Sequence, residues 1–231
     1  MLPHDFWQEI HPPVTFDEAG QHRDFYPATL PDGSQLRLPI RVLADGDHAL
    51  ASLIINQASF TVLDTLATSL AERLAPYSPD VVAALPTLGL TLGAAVAQKL
   101  GHGRYVPLGT SRKFWYDERL SVPLSSITTP SQSKRLYVDP RMLPLLSGRR
   151  VVLIDDVISS GTSVIAGLTL LTQCNVEPVA LGFAMLQSDR WRTPLADYGR
   201  HWPDRVVGVM ASPMLSLTPG GGWQAPLQVV R

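Results

Sequence analysis

The chain has 231 residues, a formal net charge of −1 and a single cysteine, Cys174. That length suits one well-packed domain with a small subdomain and is short for two. The balanced charge provides no field to recruit nucleic acid or an acidic membrane surface, and one cysteine excludes an intramolecular disulfide and any multi-cysteine metal site.

Residues 1–48 are rich in proline, histidine and aromatics, and their N-terminus, with Pro3, His4, Asp5 and Glu9, lacks the basic and apolar regions of a signal peptide. A cytoplasmic location is therefore expected. Leu30-Pro31-Asp32-Gly33-Ser34 is a turn signal between two strands of a hairpin ending near Leu43. From Ala49 to Ala75 the residues Ile54, Val62, Leu63, Leu66 and Leu70 recur at helical spacing, and Pro76 stops the helix. A strand over Val81–Leu85, a loop over Pro86–Gly89, a helix over Thr91–Leu100 and a strand over Tyr105–Leu108 follow. Val81 to Gln98 carries no charge, yet Pro86, Gly89 and Gly93 interrupt it, so a strand, tight loop and buried helix explain it better than a membrane span.

Residues 114–137 hold many Ser, Thr and Pro, a long excursion of the kind that forms lids or hairpins. The strand Val151–Ile154, the helix Val164–Gln173 and the strands Val179–Leu186 and Val206–Met210 complete the alternation. Strands alternating with helices predict a parallel α/β sheet. Cys174 sits in an apolar helical stretch and reads as a buried structural thiol. The six histidines show no metal-ligand spacing. Trp191 is open to two readings, a base-stacking ring or a packed tryptophan. Gly220-Gly221-Gly222 has no helix-forming stretch after it and reads as a flexible tail.

Most of the chemistry is written in residues 151–163, Val-Val-Leu-Ile-Asp-Asp-Val-Ile-Ser-Ser-Gly-Thr-Ser. A doubly buried strand leads into Asp155 and Asp156, at the carboxyl end where open α/β sheets bind ligands. Ser159, Ser160, Gly161, Thr162 and Ser163 then make a turn that opens a helix, where free N–H groups, hydroxyls and the helix dipole converge on an anion. Two acids for hydroxyls beside a phosphate cradle describe a ribose 5-phosphate site. A Walker-type loop would require Gly-Lys-Ser/Thr, which is absent.

This run resembles the phosphoribosyl pyrophosphate (PRPP) signature of the type I phosphoribosyltransferases. The resemblance extends from about Val81 to Leu186, closest to the adenine and xanthine branch. It implies a parallel-sheet core flanked by helices (residues 49–231), a small variable N-terminal hood (residues 1–48) and a flexible lid at about 114–137. Asp155 and Asp156 would accept hydrogen bonds from the ribose hydroxyls, and Ser159 to Ser163 would wrap the 5-phosphate. Thr87, Leu88 and Gly89 would hold pyrophosphate through backbone amides, in a loop that often carries an unusual peptide bond. Leu85–Pro86 is the bond expected to be cis, since X–Pro bonds lose most of the trans preference. Arg112 and Lys113 match a basic pair that reaches the pyrophosphate, with Lys113 placed with Asp155 and Asp156 as catalytic.

Serine at 159, where hypoxanthine–guanine enzymes carry an acid near the base, argues against that branch. Asn56 and Ser159 are the implied base contacts. Mg²⁺ would bridge PRPP oxygens, with Asp155 and Asp156 contributing only through ribose hydroxyls or water. The implied reaction moves ribose 5-phosphate from PRPP to a purine-like base and releases pyrophosphate. The expected partners are PRPP and a nucleobase-like acceptor, with no nucleic acid and no membrane. Charged residues are only 17% of the chain against roughly 25% in typical domains, which suggests a surface covered by a second copy, as in a dimer. Many purine enzymes of the family carry an acid near the position of Pro86, and its absence here keeps a second reading open, a regulator that senses PRPP without turnover. A third is a core of this fold that uses another phosphorylated ligand.

Overall fold

The computed structural model describes residues 2–124 and 134–226. The first strands are β1 (Phe25–Thr29), β2 (Gln35–Val42) and β3 (His48–Ala51), followed by helix α1 (Phe60–Leu74). Strand β4 (Val81–Ala84), helix α2 (Gly89–Lys99) and the short β5 (Val106–Pro107) come next. An antiparallel pair, β6 (Ser121–Leu124) and β7 (Lys134–Tyr137), precedes the one-turn helix α3 (Leu143–Leu146). The central β8 (Val151–Ile158), helix α4 (Thr162–Gln173), β9 (Ala180–Gln187) and α5 (Arg192–Tyr198) follow. Strands β10 (Val206–Ser212), β11 (Met214–Leu217) and β12 (Trp223–Gln224) complete the described chain.

The core is a five-stranded sheet in the order β10-β9-β8-β4-β5, with every pairing parallel. Val81–Ala84 are all buried, and β8 is buried throughout except at Val157, as a strand covered on both faces requires. Alternate residues feed two apolar layers. Val82, Val152 and Ile154 pack with α1, α2 and the hood, whereas Ala83, Val151 and Leu153 pack with α4 and the β6–β7 pair. Ser59 caps α1 by accepting from the Val62 amide at 3.2 Å, and the helix buries Val62, Leu66, Leu70 and Leu74. Helix α2 lies close on the sheet because Gly93 faces Ala84, whose Cβ would stand 2.5 Å from a Cβ at 93.

The second sheet has the order β1-β2-β3-β11-β12 and draws its strands from both ends of the chain. Two expectations are corrected here. Ala49–Ala51, placed at the start of a long helix, is strand, because β3 pairs with β2 on one side and with the distant β11 on the other. The helix begins only at Phe60. The Gly220–Gly222 segment is no loose tail: Thr218 receives the Gly221 amide, Gly221 takes φ +79°, and the chain returns as β12. Trp223 also exchanges backbone hydrogen bonds with His22. Among the described residues no helix is long and apolar enough to cross a membrane.

Candidate functional site

The carboxyl end of β8 gathers the chemistry. The strand runs on through Asp155 and Asp156 to Ile158 and does not end before them, so both acids are held by strand pairing, with Asp155 opposite Phe183 of β9. Asp155 and Asp156 are 8% and 7% exposed. Burial pushes the Asp155 carboxyl well above the usual carboxylate range, and the adjacent Asp156 charge adds to the shift. Burial raises Asp156 as well. The Asp156 amide donates to Asp155 Oδ1 at 3.0 Å.

Beyond Ile158 the chain turns through Ser159 and Ser160 to Gly161, whose φ of +82° starts α4 at Thr162. Only glycine adopts that conformation without cost, so the composition of the loop follows from its geometry. The first amides of α4 have no intrahelical carbonyl, and Ser160 Oγ lies 3.0 Å from Thr162 Oγ1. A cavity of about 100 Å³ is bounded by Asp155, Phe183 and residues 157–164. Ser159, Ser160, Gly161, Thr162 and Ser163 all line it beside Asp155. A larger cleft of about 440 Å³ lies between the Pro31 turn and α1, but it presents Asp32, Asp64 and Glu72 and would repel a phosphate.

The neighbouring strand contributes the next loop. Leu85 donates its amide to Ile154 at 2.9 Å, and α2 starts at Gly89 against Asp155. The cis bond in this loop is Pro86–Thr87; the expectation of Leu85–Pro86 is corrected by one residue. The loop is bracketed on β8 by the Leu85 amide on Ile154 and by Gly89 against Asp155, with Thr87 and Leu88 between these two contacts. The basic pair follows β5. Arg112 forms an ion pair with Glu118 at 2.7 Å, both exposed, whereas Lys113 is exposed without a carboxylate partner among the described residues. The expected lid falls partly outside the described residues, at 125–133. Its base is the β6–β7 pair, whose Val122 and Leu136 are buried with α4.

Asn56 is exposed in the turn Ile55–Gln57, beyond the expected 1–48 hood, next to α2 and not on the walls of the phosphate-loop cavity. The second sheet is joined to the parallel sheet at this end, since Gln187 Nε2 of β9 donates to the Ala51 carbonyl of β3 at 2.6 Å. Trp191 and Arg190 also belong here, the second of them beyond the sequence reading. Trp191 is buried, donates its indole N–H to Ser188 at 2.9 Å and packs against Gly161; of its two readings the structure selects the packed one. Arg190 donates to Ser159 Oγ at 2.8 Å. Its only sequence signal is a position just past the end of β9. Among the described residues no three His, Cys, Asp or Glu side chains form a metal cage. The adjacent carboxylates of Asp155 and Asp156 are suited to assist a cation carried mainly by ligand oxygens.

Residues 50–205 match the phosphoribosyl transferase domain, more than half of the chain. The chain belongs to the phosphoribosyltransferase family. It is 30% identical over 115 residues to the adenine phosphoribosyltransferase of Oenococcus oeni, covering 49% of this chain and 61% of that protein. It is also 30% identical over 123 residues to that of Rhodopirellula baltica, covering 52% and 56%. The chain thus spans about three fifths of the length of these relatives. Its fold is shared with the APRTase of Giardia lamblia solved with 9-deazaadenine, at TM-score 0.53, 19% identity and coverage of 65% and 80%. It is shared too with adenine phosphoribosyltransferase from Leishmania tarentolae, at TM-score 0.52, 19% identity and coverage of 84% of each chain. In this member of the family, the acid pair, the hydroxyl loop and the Thr87–Gly89 loop meet at one end of the parallel sheet.

Proposed function

We propose that the chain transfers ribose 5-phosphate from PRPP to a ring nitrogen of a purine-like base, of adenine or xanthine type, and releases pyrophosphate. The C1–O bond to pyrophosphate breaks as the C1–N bond forms; the pyrophosphate departs with the bonding electrons and the ring nitrogen gives up its proton. The observation that carries this reading is the cavity in which Asp155 faces the Ser159–Ser163 loop. Carboxylates accept from sugar hydroxyls, and oriented amides at a helix N-terminus take a phosphate without a basic residue.

In this reading Asp155 and Asp156 hold the ribose hydroxyls, and Ser159, Ser160, Gly161, Thr162 and Ser163 hold the 5-phosphate. The amides of Thr87, Leu88 and Gly89 hold pyrophosphate. Arg112 and Lys113 stabilise the charge that develops as it leaves. Asn56 and Ser159 face the base. A Mg²⁺ ion, which Asp155 and Asp156 would assist through ribose hydroxyls or water, would supply further charge neutralisation on the pyrophosphate. No side-chain nucleophile takes part; positioning and electrostatics do the work. The low content of charged residues supports self-association as a dimer, which light scattering measures directly.

The test is pyrophosphate release from PRPP and Mg²⁺ with a panel of bases. Release with one or more bases is expected. Pro86 in place of an acid beside the pyrophosphate loop favours a second reading, a PRPP sensor. PRPP binding without release for any base would establish that reading and end the first.

A further inference from the structure

Arg190 carries a charge that the described structure leaves uncompensated at the edge of the site. The adjacent Asp189 is bonded to Arg192 at 2.7 Å, and Arg190 has no carboxylate partner among the described residues. Its guanidinium rests instead on two neutral hydroxyls, Ser188 Oγ at 3.3 Å and Ser159 Oγ at 2.8 Å. The loop that presents it is firmly held. Ser188 takes φ +58° and donates its amide to Ser212 at 2.7 Å. Trp191, 1% exposed, is wedged against Gly161 of the phosphate loop. An exposed arginine fixed at its base and lacking a counter-charge is a pre-placed donor for an oxygen ligand.

The sheet order indicates which ligand. Strand β8 lies between β4 and β9, so the Thr87–Gly89 loop and the Arg190 loop flank the ribose position from opposite sides. In a displacement at the ribose C1, the incoming nitrogen and the leaving oxygen occupy opposite faces. With pyrophosphate on the β4 side, the acceptor arrives on the β9 side, where Gln187 also fastens the second sheet to the parallel sheet. The 5-phosphate is served by the other end of the loop, where the amides opening α4 need no cation.

We propose that Arg190 is a specificity-determining residue that recognises a carbonyl or carboxylate oxygen on the acceptor, so that the preferred acceptor is an oxygen-bearing base and not adenine. A guanidinium offers paired N–H donors to such an oxygen, while the exocyclic amino group of adenine is itself a donor and leaves them unpaired. This inference rests on the transferase reading above and narrows its acceptor.

The experiment measures pyrophosphate release by the full chain with PRPP, Mg²⁺ and a panel of adenine, hypoxanthine, guanine, xanthine, orotate and nicotinate, for the unaltered protein and for Arg190→Ala and Arg190→Lys. An oxygen-bearing base is expected to exceed adenine in kcat/KM by about tenfold or more. Arg190→Ala is expected to raise the KM of that base about tenfold while the KM for PRPP moves less than about twofold, and Arg190→Lys recovers part of the loss. Preference for adenine in the unaltered protein overturns the inference. So does a rise in the KM for PRPP in place of that for the base, which assigns Arg190 to a phosphate. Turnover indifferent to Arg190→Ala removes this inference alone, whereas no release with any base removes the transferase reading with it.

Discussion

Gly89 approaches Asp155 so closely that a Cβ at position 89 would lie 2.6 Å from Asp155 Oδ1 and 2.8 Å from its Cα. Because one of those atoms is backbone, no side-chain rotation relieves the clash; α2 or β8 must move. Gly89→Ala is expected to cost about 1–3 kcal/mol of stability and to lower PRPP affinity markedly, since the shift separates the two loops that flank the acid pair. Gly103→Ala, at an exposed site with nothing within 4 Å, is the control. Equal PRPP affinity in the two variants, measured by calorimetry, would refute the coupling of this contact to the site.

That contact also marks what a linear reading misses. The uniform apolar run of Val151–Ile154 announces a strand buried on both faces, and the Pro31-Asp32-Gly33 turn announces the β1–β2 hairpin, because both signals are local. The strand at Ala49–Ala51 is not announced. Alanine favours helix, and the partner that makes these residues strand, β11, lies far along the chain. Asp155, Asp156 and the Ser159–Ser163 loop were legible for the same local reason, as one contiguous segment. Gly89 against Asp155 and Arg190 against Ser159 are meetings between separate strand ends, set by sheet order and by no spacing in the sequence.

The acid pair predicts a pH dependence of stability. Folding raises the pKa of Asp155 and Asp156, mainly through burial. The native state then binds these protons more tightly than the unfolded chain, so their stabilising contribution is complete below about pH 4, the ordinary carboxylate range. It is lost as pH rises through the raised native values. The Tm of the unliganded chain is expected to fall across that window. Asp155→Asn removes the charge burial, flattens the curve and preserves stability at neutral pH, yet weakens PRPP binding by about tenfold or more, because hydrogen bonds from the hydroxyls lose a charged acceptor. Parallel Tm–pH curves for the two proteins would show that Asp155 does not carry the effect.

Arg112 and Lys113 start from different states, and their variants should differ accordingly. Arg112 is bonded to Glu118, but both partners are more than half exposed, at 57% and 52%. Such a pair contributes roughly 0–1 kcal/mol, so Arg112 can exchange Glu118 for pyrophosphate at little cost. Glu118→Gln is expected to leave the Tm nearly unchanged and to improve the KM for PRPP by up to about fivefold, equivalent to that same 1 kcal/mol. Lys113→Ala removes a cation with no pair to break among the described residues, and is expected to lower kcat by about tenfold or more while the KM of the base holds steady. Steady-state kinetics distinguishes the two, and a kcat unaffected by Lys113→Ala would return that lysine to a solvated surface role.

Gly161 is required for its conformation and not for its size. Its φ is +82°, yet a Cβ there would meet Trp191 at 3.5 Å, an ordinary contact. The left-handed backbone costs an ordinary L-residue roughly 1–2 kcal/mol, whereas asparagine visits it more readily. Gly161→Ala is therefore expected to destabilise the chain by about 1–2 kcal/mol, or to straighten the turn and lose the phosphate cradle. Gly161→Asn should retain more of both stability and PRPP affinity. Denaturant unfolding and calorimetry on the two variants decide the matter: if alanine and asparagine behave alike, space beside Trp191 governs this position and the backbone argument fails.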